Sequence, residues 1–119
     1  MEPGNRRNGG LGWLGQAISG VLLLVLLGLH MVAHHFVVEG GLRTYQDVLD
    51  YIRDPLILVL EVAFLVTVSF HAMAGLRSVL LDLGLSATQE RWVTRTVTAL
   101  GLAMVIYGVW LTIALVSRG

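Results

Sequence analysis

The sequence predicts an all-α integral membrane protein that crosses the bilayer three times. Composition is the first reason: 55% of its 119 residues are hydrophobic and only 13% are charged. A soluble domain this small cannot hide that much apolar surface. The second reason is three apolar runs, residues 11–38, 55–81 and 96–117, each longer than the roughly 20 residues a spanning helix needs. The first and third contain no Asp, Glu, Lys or Arg. The third reason is chemical. Backbone polar groups find no partner in hydrocarbon, and these runs are too long for barrel strands, so each must be a helix.

The rest of the composition narrows the function classes. Eight arginines balance eight acids and there is no lysine, so no basic field is available to hold a nucleic acid. The absence of cysteine removes disulfides, Cys-ligated zinc and Cys-ligated iron–sulfur clusters from this chain. Metal chemistry is left to four histidines and the carboxylates. Arg6 and Arg7 precede an apolar run, as in a secretory signal, but the run is too long for one and two more follow, so a retained span is expected.

Residues 1–10 read as a cytoplasmic tail and 39–54 as an outer loop, in a single membrane domain. Within that loop Tyr45, Val48, Leu49 and Ile52 recur at helical spacing among Gln46, Asp47 and Asp50, which predicts a short amphipathic helix on the membrane surface. Asp54-Pro55 reads as an N-cap followed by proline at the first helical position. Gly84 fits a C-cap closing the second span, with Leu85 as the apolar residue beyond it. Residues 86–89, Ser-Ala-Thr-Gln, form a capping-box pattern that starts the third helix before it enters lipid. With the N-terminus inside, Arg6, Arg7, Arg77, Arg91 and Arg95 are cytoplasmic, and Arg43, Arg53 and Arg118 are outside. That bias favours a cytoplasmic N-terminus, which also places Trp13 and Trp92 at the inner interface.

His71 and His30 are the main candidates for chemistry, because an ionisable residue deep in a span is costly and points to function. Neutral imidazole is a common axial ligand of haem iron. The competing explanation is a histidine hydrogen-bonded to a neighbouring helix. From the helical rise, His71 lies about 15 Å and His30 about 27 Å from the cytoplasmic ends of their helices. A depth difference of about 12 Å keeps them from clamping one iron, so each needs an opposite ligand from elsewhere. His34 faces the same side as His30 one turn on, near the outer surface, and His35 is turned away. Glu61 lies about 9 Å inside the outer end of the second span, near the depth of His30. It reads either as a proton-carrying acid beside an outer haem or quinone site, or as a neutral acid bonded between helices.

The stretch FHAMAGLRSVLLDLG, residues 70–84, resembles the second helix of the membrane-anchor subunits of succinate dehydrogenase and fumarate reductase (succinate:quinone oxidoreductase). In that family a histidine is followed by glycine at the fourth, arginine at the sixth and aspartate at the eleventh position; here these are His71, Gly75, Arg77 and Asp82. ISGVLLLVLLGLH, residues 18–30, is similar to the family's Ser-Gly pair followed by a histidine. The resemblance implies haem b on the cytoplasmic side with His71 as axial ligand. It implies His30 as ligand of a second haem in those members that carry two. It gives Gly75 the role of letting the porphyrin lie against the helix and Arg77 that of pairing a propionate, with snorkelling as the alternative for Arg77. Ser19 and Asp82 match positions near the family's quinone pocket. Leu83 stands where many members have Tyr, and Ala17 where many have Arg, which points to a partner anchor for the quinone-binding donors.

The resemblance therefore implies a haem-b-binding anchor, half of a six-helix unit completed by a second three-helix subunit in the cytoplasmic membrane. It would dock an iron–sulfur subunit and a flavoprotein, and it would help pass electrons to quinone. Succinate oxidation would belong to the flavoprotein, so this chain carries no catalytic residue of its own. One haem or two remains open. The alternatives are an anchor of another quinone-linked complex and a haem-free structural or assembly subunit.

Overall fold

The computed structural model describes residues 3–42 and 44–118, with side chains from residue 10 onward. The Arg6 and Arg7 side chains and all of Arg43, which entered the charge count, lie outside the described residues. Four α-helices follow in order: α1 Pro3–Val32, α2 Tyr45–Ile52, α3 Pro55–Leu81 and α4 Ala87–Ser117. Three stretches are long and apolar enough to span a membrane: Gly10–Val37, Pro55–Leu81 and Ala87–Ser117. The first expected span does not stay α-helical throughout. After Val32 the chain widens into a π-turn, Ala33–Val37, that carries His34 and His35. Such turns inside long helices often accompany functional sites.

The predicted joints form as the local chemistry requires. Asp54 Oδ1 accepts from the backbone N–H of Leu56 and Ile57, with Pro55 in the first turn. Gly84 adopts φ 74° between α3 and α4, a left-handed conformation that a side chain disfavours. Ser86 and Gln89 make the reciprocal capping box at the start of α4. A second box, missed in the sequence reading, starts α2: Thr44 accepts from the Asp47 N–H while the Asp47 side chain accepts from the Thr44 N–H.

α3 is the central element, packed against α1 on one side and α4 on the other. Large apolar side chains on the outer surfaces, among them Val59, Val79, Leu102, Ile106 and Trp110, are more than half exposed. In water this would be untenable; in lipid it is the expected state, because hydrocarbon drives no burial and packing rests on close approach. Small residues provide that approach. A Cβ on Gly101 would meet Met73 Cγ at 3.1 Å, and one on Gly108 would collide with the Leu65 side chain. Gly108→Val is therefore expected to destabilise the α3–α4 pair by about 1–3 kcal/mol through overpacking. A lowered thermal midpoint in detergent, partly restored by adding Leu65→Ala, would show it; no change in midpoint would contradict the packing.

α2 departs from its predicted pattern. Leu49 is buried as its stripe requires, but Tyr45 is 58% exposed and the second buried residue is Tyr51. The short helix leans on α3 and α4, so Tyr51 is turned into the bundle.

Candidate functional site

The antiparallel register of α1 and α3 brings ionisable and polar side chains together at two levels. Nearer the Gly84 end, His71 Nδ1 lies 3.1 Å from Ser19 Oγ. Ser19 Oγ donates its single proton to the Gln16 carbonyl at 3.0 Å. With the hydroxyl proton so placed, the matching tautomer carries its hydrogen on Nδ1 and leaves the Nε2 lone pair for another partner. The Gln16 amide donates to the His71 carbonyl at 3.4 Å. Close approach is again needed here: a Cβ on Gly20 would meet His71 Cε1 at 3.3 Å, and one on Gly75 would meet Gln16 Nε2 at 3.0 Å.

Nearer the α2 end, Glu61 is the hub. His30 Nδ1 lies 2.8 Å and 2.9 Å from its two carboxyl oxygens. The Tyr51 hydroxyl donates to Oε1 at 2.5 Å, and His34 Nε2 stands 3.5 Å from the same oxygen. The rings pack as a group, with His30–His34 centroids 4.0 Å apart, His30 stacked on Phe64 at 4.9 Å, and His34 edge-on to Tyr51 at 4.8 Å. His34 Nε2 is buried and makes no hydrogen bond. Burial, reinforced by the Glu61 hydrogen bond and charge, pushes the Tyr51 phenol above its ordinary pKa of 10.0. The phenol, protonated at neutral pH in any case, therefore stays a donor to higher pH. The stability it contributes is present below the ordinary pKa and is lost as pH climbs through the raised one.

Ligating capacity exists at both levels. Metal-bound histidines commonly donate their second ring N–H to a carboxylate or another oxygen, which fixes the tautomer and the ring's orientation. Ser19 does this for His71 and Glu61 does it for His30, so each ring fits haem ligation through Nε2. His30, His34 and Glu61 also place one ligand atom each within 4.8 Å of the others. Ser19 and His30 are eleven residues apart on α1, which separates the two levels by about 16 Å of helical rise, more than the roughly 12 Å expected from the helix ends.

The structure gives three expected site residues other surroundings than the resemblance implies. The Gln16 amide lies in the space beside Gly75, so this glycine admits the α1–α3 contact. Arg77 leans toward α4, its Nε donating to Thr94 Oγ1 at 2.9 Å, whereas His71 faces α1. Asp82 is the exposed C-cap of α3, about 16 Å of rise from His71 and its partner Ser19, so Ser19 and Asp82 are not brought together. Gln16, Tyr51 and Phe64 were missed. Gln16 was legible as a lone amide one turn before Ser19; nothing in the periodicity of α2 marks Tyr51.

A bundle of three lipid-facing helices whose polar groups are gathered between helices at two depths is an integral, multi-pass membrane protein. Residues 3–115 match the family model for the succinate dehydrogenase/fumarate reductase transmembrane subunit, and the chain belongs to that family. It is 34% identical over 101 residues to the succinate dehydrogenase hydrophobic membrane anchor subunit of Archaeoglobus fulgidus, covering 85% of this chain and 86% of the relative. The protein of the same description from Thermoplasma acidophilum is 25% identical over 117 residues, covering 98% of this chain and 94% of the relative. The chain is thus similar along nearly its whole length to membrane-anchor subunits of an enzyme complex.

Proposed function

We propose that this anchor binds haem b and helps carry electrons to quinone within a succinate:quinone oxidoreductase of the cytoplasmic membrane. Its N-terminus is cytoplasmic, and it forms half of a six-helix unit with a second three-helix anchor, on which an iron–sulfur subunit and a flavoprotein dock. The observation that carries the reading is the Ser19–His71 hydrogen bond, which holds the proton on Nδ1 and reserves Nε2 of a histidine inside the bilayer.

The chain's residues divide the work by level. Ser19 and Gln16 orient His71 on the cytoplasmic side; Glu61, Tyr51 and Phe64 orient His30 on the outer side. Haem, when bound, would supply a one-electron centre whose potential its ligands and burial set. Glu61 and His34 are positioned to exchange a proton beside His30. A second ligand at the level of His71 would come from the partner anchor, since no other histidine of this chain lies at that depth.

The test is purification of the chain with its co-extracted subunits, followed by a dithionite-reduced minus oxidised visible spectrum. A b-type band together with a co-purifying flavoprotein and iron–sulfur subunit is expected. A complex containing those subunits but no b-type band would leave a haem-free anchor, with the histidines as packing groups. A b-type band with no flavoprotein would indicate an anchor of a different quinone-linked complex.

A further inference from the structure

Arg77 connects two hollows that the electron-transfer reading does not use. Toward the Gly84 end it joins Ala87, Glu90, Arg91, Thr94 and Arg95 around an open polar hollow of about 400 Å³. Toward the bundle centre it closes an apolar cleft of about 450 Å³ between α3 and α4, walled by residues such as Val66, Phe70, Met73, Gly101 and Val105. Three guanidinium groups face one carboxylate in the polar hollow. Among the described residues none of Arg77, Arg91 and Arg95 is in an ion pair. Arg91 and Arg95 are one turn apart on the same face of α4, and the Arg77–Thr94 hydrogen bond anchors the third cation beside them.

We propose that this composite groove is a binding site for one anionic phospholipid, its phosphate among Arg77, Arg91 and Arg95 and one acyl chain in the cleft. Charge complementarity selects the headgroup, because guanidinium forks match phosphate oxygens. Depth selects the tail. From Arg77 to Val66 the cleft runs eleven residues, about 16 Å of rise, or half of the roughly 30 Å hydrocarbon core. That is the reach of a single leaflet's acyl chain. The buried Ser69 hydroxyl lines the cleft without a hydrogen-bond partner and stays unpaired beneath an apolar tail.

The test uses the chain with its co-purified subunits, delipidated in detergent and then supplied with phosphatidylglycerol or phosphatidylcholine in mixed micelles. Phosphatidylglycerol is expected to raise the thermal midpoint and to be retained in native mass spectrometry; phosphatidylcholine is not. Arg91→Gln with Arg95→Gln, both exposed positions, should weaken retention at least tenfold. Thr98→Phe, which fills the cleft from an exposed position, should weaken it with all arginines present. If inorganic phosphate matched phosphatidylglycerol, the site would be a plain anion site and the lipid proposal would fall. It would also fall if the arginine variants shed the iron–sulfur subunit while keeping the lipid, because the patch would then be a docking face. A shift of haem potential in Arg77→Gln with lipid retention intact would restore propionate pairing and overturn it.

Discussion

His71→Ala is expected to remove the cytoplasmic-side haem entirely, cutting haem content to half or less of wild type. The substitution deletes the only histidine at that level of this chain. It also frees the Ser19 hydroxyl, which keeps its bond to the Gln16 carbonyl, so the local backbone has little reason to change. The expected effect is therefore on the spectrum and not on assembly. Pyridine haemochrome analysis and the low-spin signal of the purified complex measure it. Ser19→Ala refines the test. Without an acceptor for Nδ1–H the ring loses its fixed tautomer and orientation, and partner groups of this kind typically change metal affinity by roughly 10–100-fold. Ser19→Ala should lower occupancy and shift the potential while Ser19→Thr, which retains the hydroxyl, restores both. Unchanged haem content in His71→Ala would refute the assignment.

The second large effect is expected at Glu61. Its carboxyl group bonds His30 and Tyr51 and stands near His34, so Glu61→Ala strands two hydrogen-bonding groups in a region only partly open to solvent. Losing one partner of a hydrogen bond to a charged group costs about 1.5–3 kcal/mol. Glu61→Ala should then lower the thermal midpoint clearly, and Tyr51→Phe, which removes one donor, should lower it less. The haem readout separates function from packing. If His30 ligates a second haem, His30→Ala removes one of about two haems per anchor pair and spares the other, and Glu61→Gln shifts the potential of that haem alone. A stoichiometry of one, unchanged in His30→Ala, would make the outer cluster a packing network.

How much was legible beforehand differs between the two levels. The sequence placed Glu61 at the depth of His30 and put His34 on the same face, because depth and facing follow from helical rise and turn. It did not show that one carboxyl group bonds His30 and Tyr51 together. Tyr51 reaches Glu61 because α2 tilts onto α3, a tertiary event invisible to the periodicity of an eight-residue helix. At the other level the sequence singled out His71, Gly75 and Arg77 as one motif along one helix. Their spacing already puts His71 and Gly75 on one face and Arg77 on another, and the structure shows what each face meets: Ser19 and Gln16 of α1, or Thr94 of α4.

By itself, then, the sequence determined the three spans, the caps at Asp54, Gly84 and Ser86, and the depths of the histidines. These are local consequences of backbone hydrogen bonding in hydrocarbon and of the fixed rise of a helix. Only the tertiary structure decided who meets whom. Ser19 is the partner of His71, Gln16 occupies the space beside Gly75, and Arg77 is turned to α4 and away from the histidine. Apolar side chains are equally content against lipid or protein, so hydropathy cannot choose the faces that touch. That choice rests on close approach at Gly20, Gly75, Gly101 and Gly108, and such shape complementarity exists only once the helices are packed.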